Sequence, residues 1–407
     1  MNLFSPATQK LYDQNPYGKT FEAQVLSCCE GEKSHKGQFD IILNQTLFFP
    51  EEGGQTPDLG LLIPLPSSPD LPAGASPQVR VLDVKIKSDV IHHFCDGPLV
   101  PGAPVRGSID WEHRYDNMQN HSGEHIFSGL VHSAFGYENV GFHLSERTCS
   151  MDYSGPLTRE EIDRLETAAN RIIFDNRVID ASYPSTEELA QLDYRSKKAL
   201  SGPVRIVTIP DCDVCACCAP HVRRTGEVGL LKVLQIQSYK GGTRLMIACG
   251  MRALADFRRK QSVLEEVSHL LSSPQEEAAM ALSKRLADLS ALKDALHEAS
   301  ARLLASDLAG LDPSAANVCL FENGIDPIRL RQAVNQMSAV HRGYCAAFNG
   351  SDSDGYSYIL SIADGDARVL NEQLKERFSA RGGGSAAMCQ GSLRASRRDL
   401  EDFFSAL

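Results

Sequence analysis

Residues 116–135 read DNMQNHSGEHIFSGLVHSAF, and the texture of the chain changes there. Met118, Ile126, Leu130 and Ala134 recur at roughly three-to-four spacing, which predicts a helix. Before it, from about residue 18 to 110, short alternating segments such as FEAQVL, FDIIL, VRVLDVKI and DVIHHF are separated by Gly, Pro, Asp and Ser. That is the pattern of a β-rich, barrel-like module. Residues 61–78, LLIPLPSSPDLPAGASPQ, are dense in Pro, Ser and Gly and predict a solvent loop between strands. Beyond the helix, TREEIDRLETAANRIIFD predicts a second helix over 158–175, opened by a Thr-x-x-Glu capping box from Thr158 to Glu161. The strand-like runs VRIVTIP, GLLKVLQIQSY and TRLMIACG follow, so the stretch to about 255 reads as α+β.

From about 251 to 309 the chain is rich in Ala, Leu, Glu, Lys and Arg, with apolar residues at helical spacing. Two long helices are predicted, an antiparallel hairpin broken near Ser272-Ser273-Pro274. Residues 313–407 alternate β-like runs (NVCLFE, YCAAFNG, YSYILSIA) with helical ones (PIRLRQAVNQMSAV, ARVLNEQLKERFSA), the signature of a small α/β domain. The expected architecture is α+β and multidomain: a β-rich module over 1–110, a metal-binding α+β domain over 111–255, a helical spacer over 256–309 and a C-terminal α/β domain over 310–407.

A chain of 407 residues accommodates two to four domains on a prior of roughly 100–200 residues each. Hydrophobic residues at 42% and charged residues at 23% exclude disordered and fibrous classes. The first twenty residues lack a basic region followed by an apolar run, and nowhere do about 18 apolar residues run together, so a cytoplasmic protein without membrane spans is expected. Twelve cysteines in such a chain read as buried thiols, metal ligands or reactive groups rather than a disulfide framework. A net charge of −11 argues against a non-specific polyanion binder. It leaves room for an enzyme acting on one end of a folded RNA, which needs only a local basic patch.

The sharpest chemical feature is His121-Ser-Gly-Glu-His125. Residues four apart on a helix stand one turn above each other and can ligate one ion. Alone, the pair reads equally as two polar residues on a wet face. Cys217-Cys-Ala-Pro-His221 adds a soft thiolate and a third imidazole, and a Cys/His₃ set lies within the zinc repertoire. Cys212 and Cys215, beside Cys218, form a Cys-x-x-Cys pair that is an alternative metal or redox site. His92 and His93 fall on a strand, whose adjacent side chains point to opposite faces, so they read as ordinary strand histidines. A third feature is FFPEEGGQTPDLG (48–60), whose glycines permit positive φ and close approach of a ligand to the backbone; alone it is also compatible with a plain turn.

In this order the elements resemble the editing region of alanyl-tRNA synthetase and the AlaX trans-editing proteins. FFPEEGGQTPDLG is similar to the family's glycine motif, VPGAPVRGSIDWEHRYDNMQNHSGEH to the lead into its His-x-x-x-His helix, CCAPHVRRTGEVGLLKV to its Cys-x-x-x-His segment, and GGTRLMIACGMRAL to its closing strand. The likeness covers about 15–255. SARGGGSAAMCQGSLRAS, through Gly382-Gly383-Gly384, resembles the glycine-rich domain that follows, and the layout is that of the long AlaX class.

The resemblance implies a hydrolase that removes serine or glycine from mischarged alanine tRNA. It implies zinc held by His121, His125, Cys217 and His221, nucleotide and ATP binding, and a C-terminal region that binds tRNA or makes a homodimer. It assigns Gly53, Gly54 and Gln55 to the substrate pocket, with Gln55, which carries donors and an acceptor, as the contact to a substrate hydroxyl. The chain departs from the family at Cys218, Ala219 and Pro220, where Gly-Gly-Thr is usual, which bears on amino-acid preference. Glu124 stands where a small residue is common, and no general base is assigned. Two other classes fit part of the pattern. One is a zinc peptidase, although its signature has Glu directly after the first His whereas Glu124 directly precedes the second. The other is a non-catalytic RNA-binding module with structural zinc.

Overall fold

The computed structural model describes residues 7–66, 78–146, 148–196 and 202–407. The chain is mixed α+β and divides into two compact units, one ending at Val263 and one beginning at Leu264.

The first unit starts with six strands: β1 (Thr20–Glu30), β2 (Phe39–Leu43), β3 (Gly60–Pro64), β4 (Val79–Lys87), β5 (Val90–Cys95) and β6 (Pro104–Ile109). They close into a barrel in the order β1-β2-β5-β4-β3-β6, with β6 pairing back to β1. The alternation read from the sequence is the inside–outside period of this barrel. Phe21, Ala23 and Val25 of β1 are buried while Thr20, Glu22 and Gln24 are exposed. The predicted loop over 61–78 begins later than expected. Leu62 is fully buried opposite Gly107, so Gly60–Pro64 is drawn into the barrel wall, and residues 67–77 lie outside the described residues.

α1 (Trp111–Phe135) follows directly, capped by Asp110, whose carboxylate accepts His113 N–H. The predicted apolar stripe is incomplete: Met118 and Ile126 are buried, but Leu130 is only half-buried and Ala134 is exposed. Instead, the middle of the helix is enclosed on nearly every side and buries Asn117, Asn120, Ser122, Glu124 and Ser128. Buried polar groups require partners, so this helix is built around hydrogen bonds as much as apolar contacts. β7 (Asn139–Leu144) and β8 (Cys149–Tyr153), α2 (Arg159–Phe174), then β9 (Asp180–Ser182), β10 (Ile206–Ile209), β11 (Asp213–Ala216), β12 (Leu231–Tyr239) and β13 (Gly242–Cys249) complete the layer. α2 carries the expected capping box, with Thr158 and Glu161 each satisfying the other's backbone. The sheet β12-β13-β8-β7 and α1 share one hydrophobic cluster, and the barrel encloses a second.

Barrel and helix are joined by a fully buried ion pair. Arg114 of α1 grips Asp58 through Nε at 2.8 and 3.0 Å and through Nη2. It also donates to the carbonyls of Pro16 (2.9 Å) and Leu47 (2.5 Å), and Asp58 accepts Phe49 N–H at 2.5 Å. Both side chains are 0% exposed.

α3 (Gly250–Leu271) and α4 (Ala278–Ala309) are the two predicted long helices, interrupted over 272–277 where Ser272 adopts φ 52° and Pro274 lacks a donor. The second unit is a five-stranded sheet. Its members are β14 (Val318–Glu322), β15 (Tyr344–Ser351), β16 (Gly355–Ile362), β17 (Arg381–Gly384) and β18 (Met388–Leu393), in the order β14-β15-β16-β18-β17. α5 (Pro327–Val340) covers one face, α6 (Ala367–Phe378) and α7 (Arg397–Ser405) the other. Successive residues of β15 serve opposite cores: Cys345 and Ala347 face α5, Ala346 and Phe348 face α6 and α7. Gly382-Gly383-Gly384 lies in an edge strand paired with β18. A Cβ on Gly382 would meet Gln390 O at 2.3 Å, so the pairing needs glycine there.

Removing one partner of a buried ion pair strands the other and costs about 3–5 kcal/mol. Arg114→Met is therefore expected to lower the stability of the first unit by that amount in urea titrations followed by circular dichroism. A loss below about 1 kcal/mol, the range of surface pairs, would show that this contact does not tie barrel to helix.

Candidate metal centre

The helical period puts His121 and His125 on one face of α1, and the turn leaving β11 brings Cys217 and His221 to the same face. One donor atom from each of the four residues lies within 4.8 Å of every other. His121, His125 and His221 are 2%, 2% and 4% exposed. Cys217 Sγ lies 3.6 Å from His121 Nε2 and 3.4 Å from His221 Nε2. A tetrahedral zinc with ordinary Zn–S and Zn–N bonds has an S···N edge of about 3.6 Å. The donor set and its spacing therefore fit that ion.

The opposite nitrogen of each imidazole is held by a different part of the chain. His121 Nδ1 donates to Gln55 Oε1 at 2.7 Å. His125 Nδ1 donates to Asp213 Oδ2 at 2.9 Å. His221 Nδ1 lies 3.0 Å from Ser122 Oγ, which also accepts Val222 N–H at 3.2 Å. With the proton on Nδ1, each Nε2 keeps its lone pair for a cation, as second-shell partners of metal-bound histidines do. Electrostatics run the same way at Cys217 and His221 and the opposite way at His125. Burial pushes the Cys217 thiol up, but charge interactions with His121 and His221 and hydrogen bonds from His121 and His125 outweigh it, leaving the thiol well below its ordinary range. Burial brings His221 down to about 3, a neutral imidazole. At His125 burial opposes charging, but the Asp213 hydrogen bond overcomes it and raises the group well above its usual value.

The glycine run is threaded against this centre. Leu144 N–H donates to Gly54 O at 2.7 Å and Thr56 N–H to Leu144 O at 3.1 Å, so the loop adds to β7 like a short parallel strand. Gly54 has φ 87°, and a Cβ there would lie 2.4 Å from Phe142 O. No other residue could take this path. Gly53 faces Cys218, whose Sγ lies 3.7 Å from where a Cβ would be. Gln55 is fully buried. Its oxygen accepts from His121, while Nε2 is buried with no hydrogen-bond partner among the described residues. It therefore has an unused donor to offer a ligand.

The remaining sequence features separate cleanly. Cys215 sits with His125 and Asp213 in a second cluster that shares His125 with the first; Cys212 joins neither, and its Sγ contacts Ile126 O at 3.5 Å. Burial pushes the Cys212 thiol up to about 12 and that of Cys215 to about 11. His93 is buried against Thr46 Oγ1 (2.9 Å) and Ile41 O (3.0 Å), while His92 faces Asp40 at 2.9 Å, on opposite faces as a strand requires. Glu124 Oε1 accepts Ser128 Oγ (2.7 Å) and Asn139 Nδ2 (2.5 Å), and Oε2 lies 3.8 Å from His125 Nε2. Ser122, Asp213 and Asp58 escaped the sequence reading.

A family model described as the threonyl and alanyl tRNA synthetase second additional domain matches residues 204–245, which include Cys217 and His221. An alanine-tRNA ligase of Ignicoccus hospitalis is 31% identical over 312 residues, covering 74% of this chain and 33% of that protein. One from Pyrococcus abyssi is 29% identical over 397 residues, 93% of this chain and 41% of the ligase. The alanyl-tRNA editing protein Aarsd1 of Rattus norvegicus is 28% identical over 290 residues, 67% of this chain and 66% of that protein. The chain thus spans a third to two fifths of the length of the ligases it matches. No helix among the described residues is long and apolar enough to cross a membrane. Residues 204–245 thus match the second additional domain of threonyl and alanyl tRNA synthetases, and over most of its length the chain is similar to alanine-tRNA ligases and to alanyl-tRNA editing proteins.

Proposed function

We propose that this protein hydrolyses the ester joining a wrong amino acid, serine or glycine, to the terminal ribose of alanine tRNA, with zinc held by His121, His125, Cys217 and His221. The observation that carries the reading is the four-donor cluster whose imidazoles are each aimed by a separate partner, one of them on the glycine loop. Zinc at this position would supply Lewis acidity or, with all four protein ligands engaged, a template that orients the substrate.

The ester is already activated, so the protein's own task is to orient it, admit one water and stabilise charge on the carbonyl oxygen. Gln55 Nε2 is the donor best suited to a substrate oxygen, either that carbonyl or the serine hydroxyl. A pocket that satisfies its buried donor through a serine hydroxyl leaves it unpaired with alanine, which gives selectivity against the correct amino acid. Glu124 is not assigned as general base, because its carboxylate is already engaged by Ser128 and Asn139. The same engagement counts against a zinc peptidase. Binding of tRNA without turnover would instead favour a non-catalytic module.

For the chain as a whole we propose the four modules with bounds near 110, 255 and 309, the last contacting tRNA. Self-association through the helical region is supported by α4, where Leu282, Leu289, Leu296 and Leu303 recur every seven residues and are 47%, 49%, 65% and 65% exposed. That is the seam of a coiled coil without its mate.

Cys217→Ala is expected to remove zinc, measured by mass spectrometry of metals, and to abolish release of serine from charged alanine tRNA. Full zinc in this variant, with Cys215 required instead, would overturn the ligand set. Gln55→Leu should weaken zinc binding by about 10–100-fold, the usual effect of losing such a partner, and slow deacylation further than metal loss explains. Equal deacylation at saturating zinc would remove Gln55 from substrate contact. Leu289→Glu with Leu296→Glu should convert a dimer to a monomer in sedimentation, and an unchanged state would exclude this helix face as the interface.

A further inference from the structure

The metal reading leaves one question that the geometry answers: what decides which nitrogen of His125 faces the cation. Carboxylates flank the imidazole on both edges, Asp213 Oδ2 at 2.9 Å from Nδ1 and Glu124 Oε2 at 3.8 Å from Nε2. They favour opposite tautomers. A proton on Nδ1 satisfies Asp213 and frees the Nε2 lone pair; a proton on Nε2 faces Cys217, with Glu124 beyond hydrogen-bond distance, and occupies the position that a metal would need. The outcome depends on how firmly Asp213 is held.

Asp213 is gripped by Arg195. Nε donates to Oδ1 at 2.7 Å and Nη2 to Oδ2 at 2.9 Å, a two-pronged arrangement that leaves the carboxylate no freedom to rotate. Arg195 is itself fixed by its backbone, which donates to Val214 O and accepts Ala216 N–H, both at 2.9 Å, so that it lies as a one-residue parallel strand against β11. Its side chain is 8% exposed and that of Asp213 1%. Ordinary surface pairing does not require this degree of burial. Glu124, in contrast, is turned toward Ser128 and Asn139 by their hydrogen bonds to its other oxygen.

We propose that Arg195 is a positioning residue for the metal centre. By locking Asp213 against Nδ1 of His125 it selects the tautomer whose Nε2 can ligate. Without the guanidinium the carboxylate is free to turn away, and His125 can carry its proton on Nε2 instead. The inference rests on the zinc reading above, and its test separates the two.

The full-length protein is loaded with zinc, and its affinity is measured by competition with a chromophoric chelator. The cobalt(II) form supplies a second readout through its d–d and thiolate charge-transfer bands. Wild type, Arg195→Met, Arg195→Lys and Asp213→Asn are compared. Arg244→Met serves as control, because Arg244 makes an equally close two-pronged pair with Asp152 at 2.6 and 2.7 Å and takes no part in the cluster. Arg195→Met is expected to bind zinc about 10–100-fold more weakly and to shift the cobalt bands, with Arg195→Lys in between because it keeps the charge but loses the fork. Asp213→Asn, whose amide can point a donor at Nδ1, should lose at least as much. Arg244→Met should match wild type. If wild type takes up no zinc, the metal reading itself fails. If wild type binds zinc and Arg195→Met binds it equally, with unchanged cobalt bands, Arg195 is merely structural. An equal loss in Arg244→Met would mean the same. Should Arg195→Met fail to fold, Arg195→Lys and Asp213→Asn decide: wild-type affinity in both overturns the proposal.

Discussion

The structure of the first unit depends on one contact, the ion pair between Arg114 and Asp58. Desolvating two charges is costly, and the cost is recovered only when every donor and acceptor is used. Here the guanidinium satisfies Asp58, Pro16 O and Leu47 O together, and Asp58 also takes Phe49 N–H. These partners come from the chain entering the barrel, from the segment after β2 that carries Leu47, from the glycine run and from α1. A shift of helix against barrel would break several of these bonds at once. This is how a loop that is mostly glycine and turn can hold Gln55 to within hydrogen-bond distance of His121.

The same economy governs the centre. Cys217 and three imidazoles are close enough to repel or pair in several ways, and the arrangement that admits a cation is selected by groups one step removed. Gln55, Ser122 and Asp213 each hold one Nδ1, and each belongs to a different element: the glycine loop, α1 and β11. A cation site assembled this way couples metal affinity to the barrel, the helix and the strand layer together. It also explains why so much of α1 is buried and polar. The helix cannot be an ordinary amphipathic one, because its inner face must supply both ligands and the partners that orient them.

Departures from the family pattern sit where this coupling is tightest. Cys218, adjacent to a ligand and packed near Gly53, replaces a glycine with a side chain at the junction of loop and centre. Burial and the neighbouring Cys217 keep its thiol well above the ordinary range, so it acts there as a small apolar filler rather than as a second thiolate.

Reading the residues alone determined whatever is local. The strand alternation of β1, the capping box of α2, the break between α3 and α4, and the one-turn spacing of His121 and His125 are written in residues at most a few positions apart, and backbone geometry converts such spacing directly into shared faces. The Cys-x-x-x-His segment was legible for the same reason. Tertiary structure decided the rest. It set Gln55 against His121 across 66 residues and Asp213 against His125 across 88. It left Cys212 outside both clusters, drew Gly60–Pro64 into the barrel wall, and made an edge strand of Gly382–Gly384. None of these has a local signal, because a hydrogen bond between distant residues depends on the whole path of the chain between them. The burial that makes Arg114 and Asp58 costly to separate exists only once that path has closed.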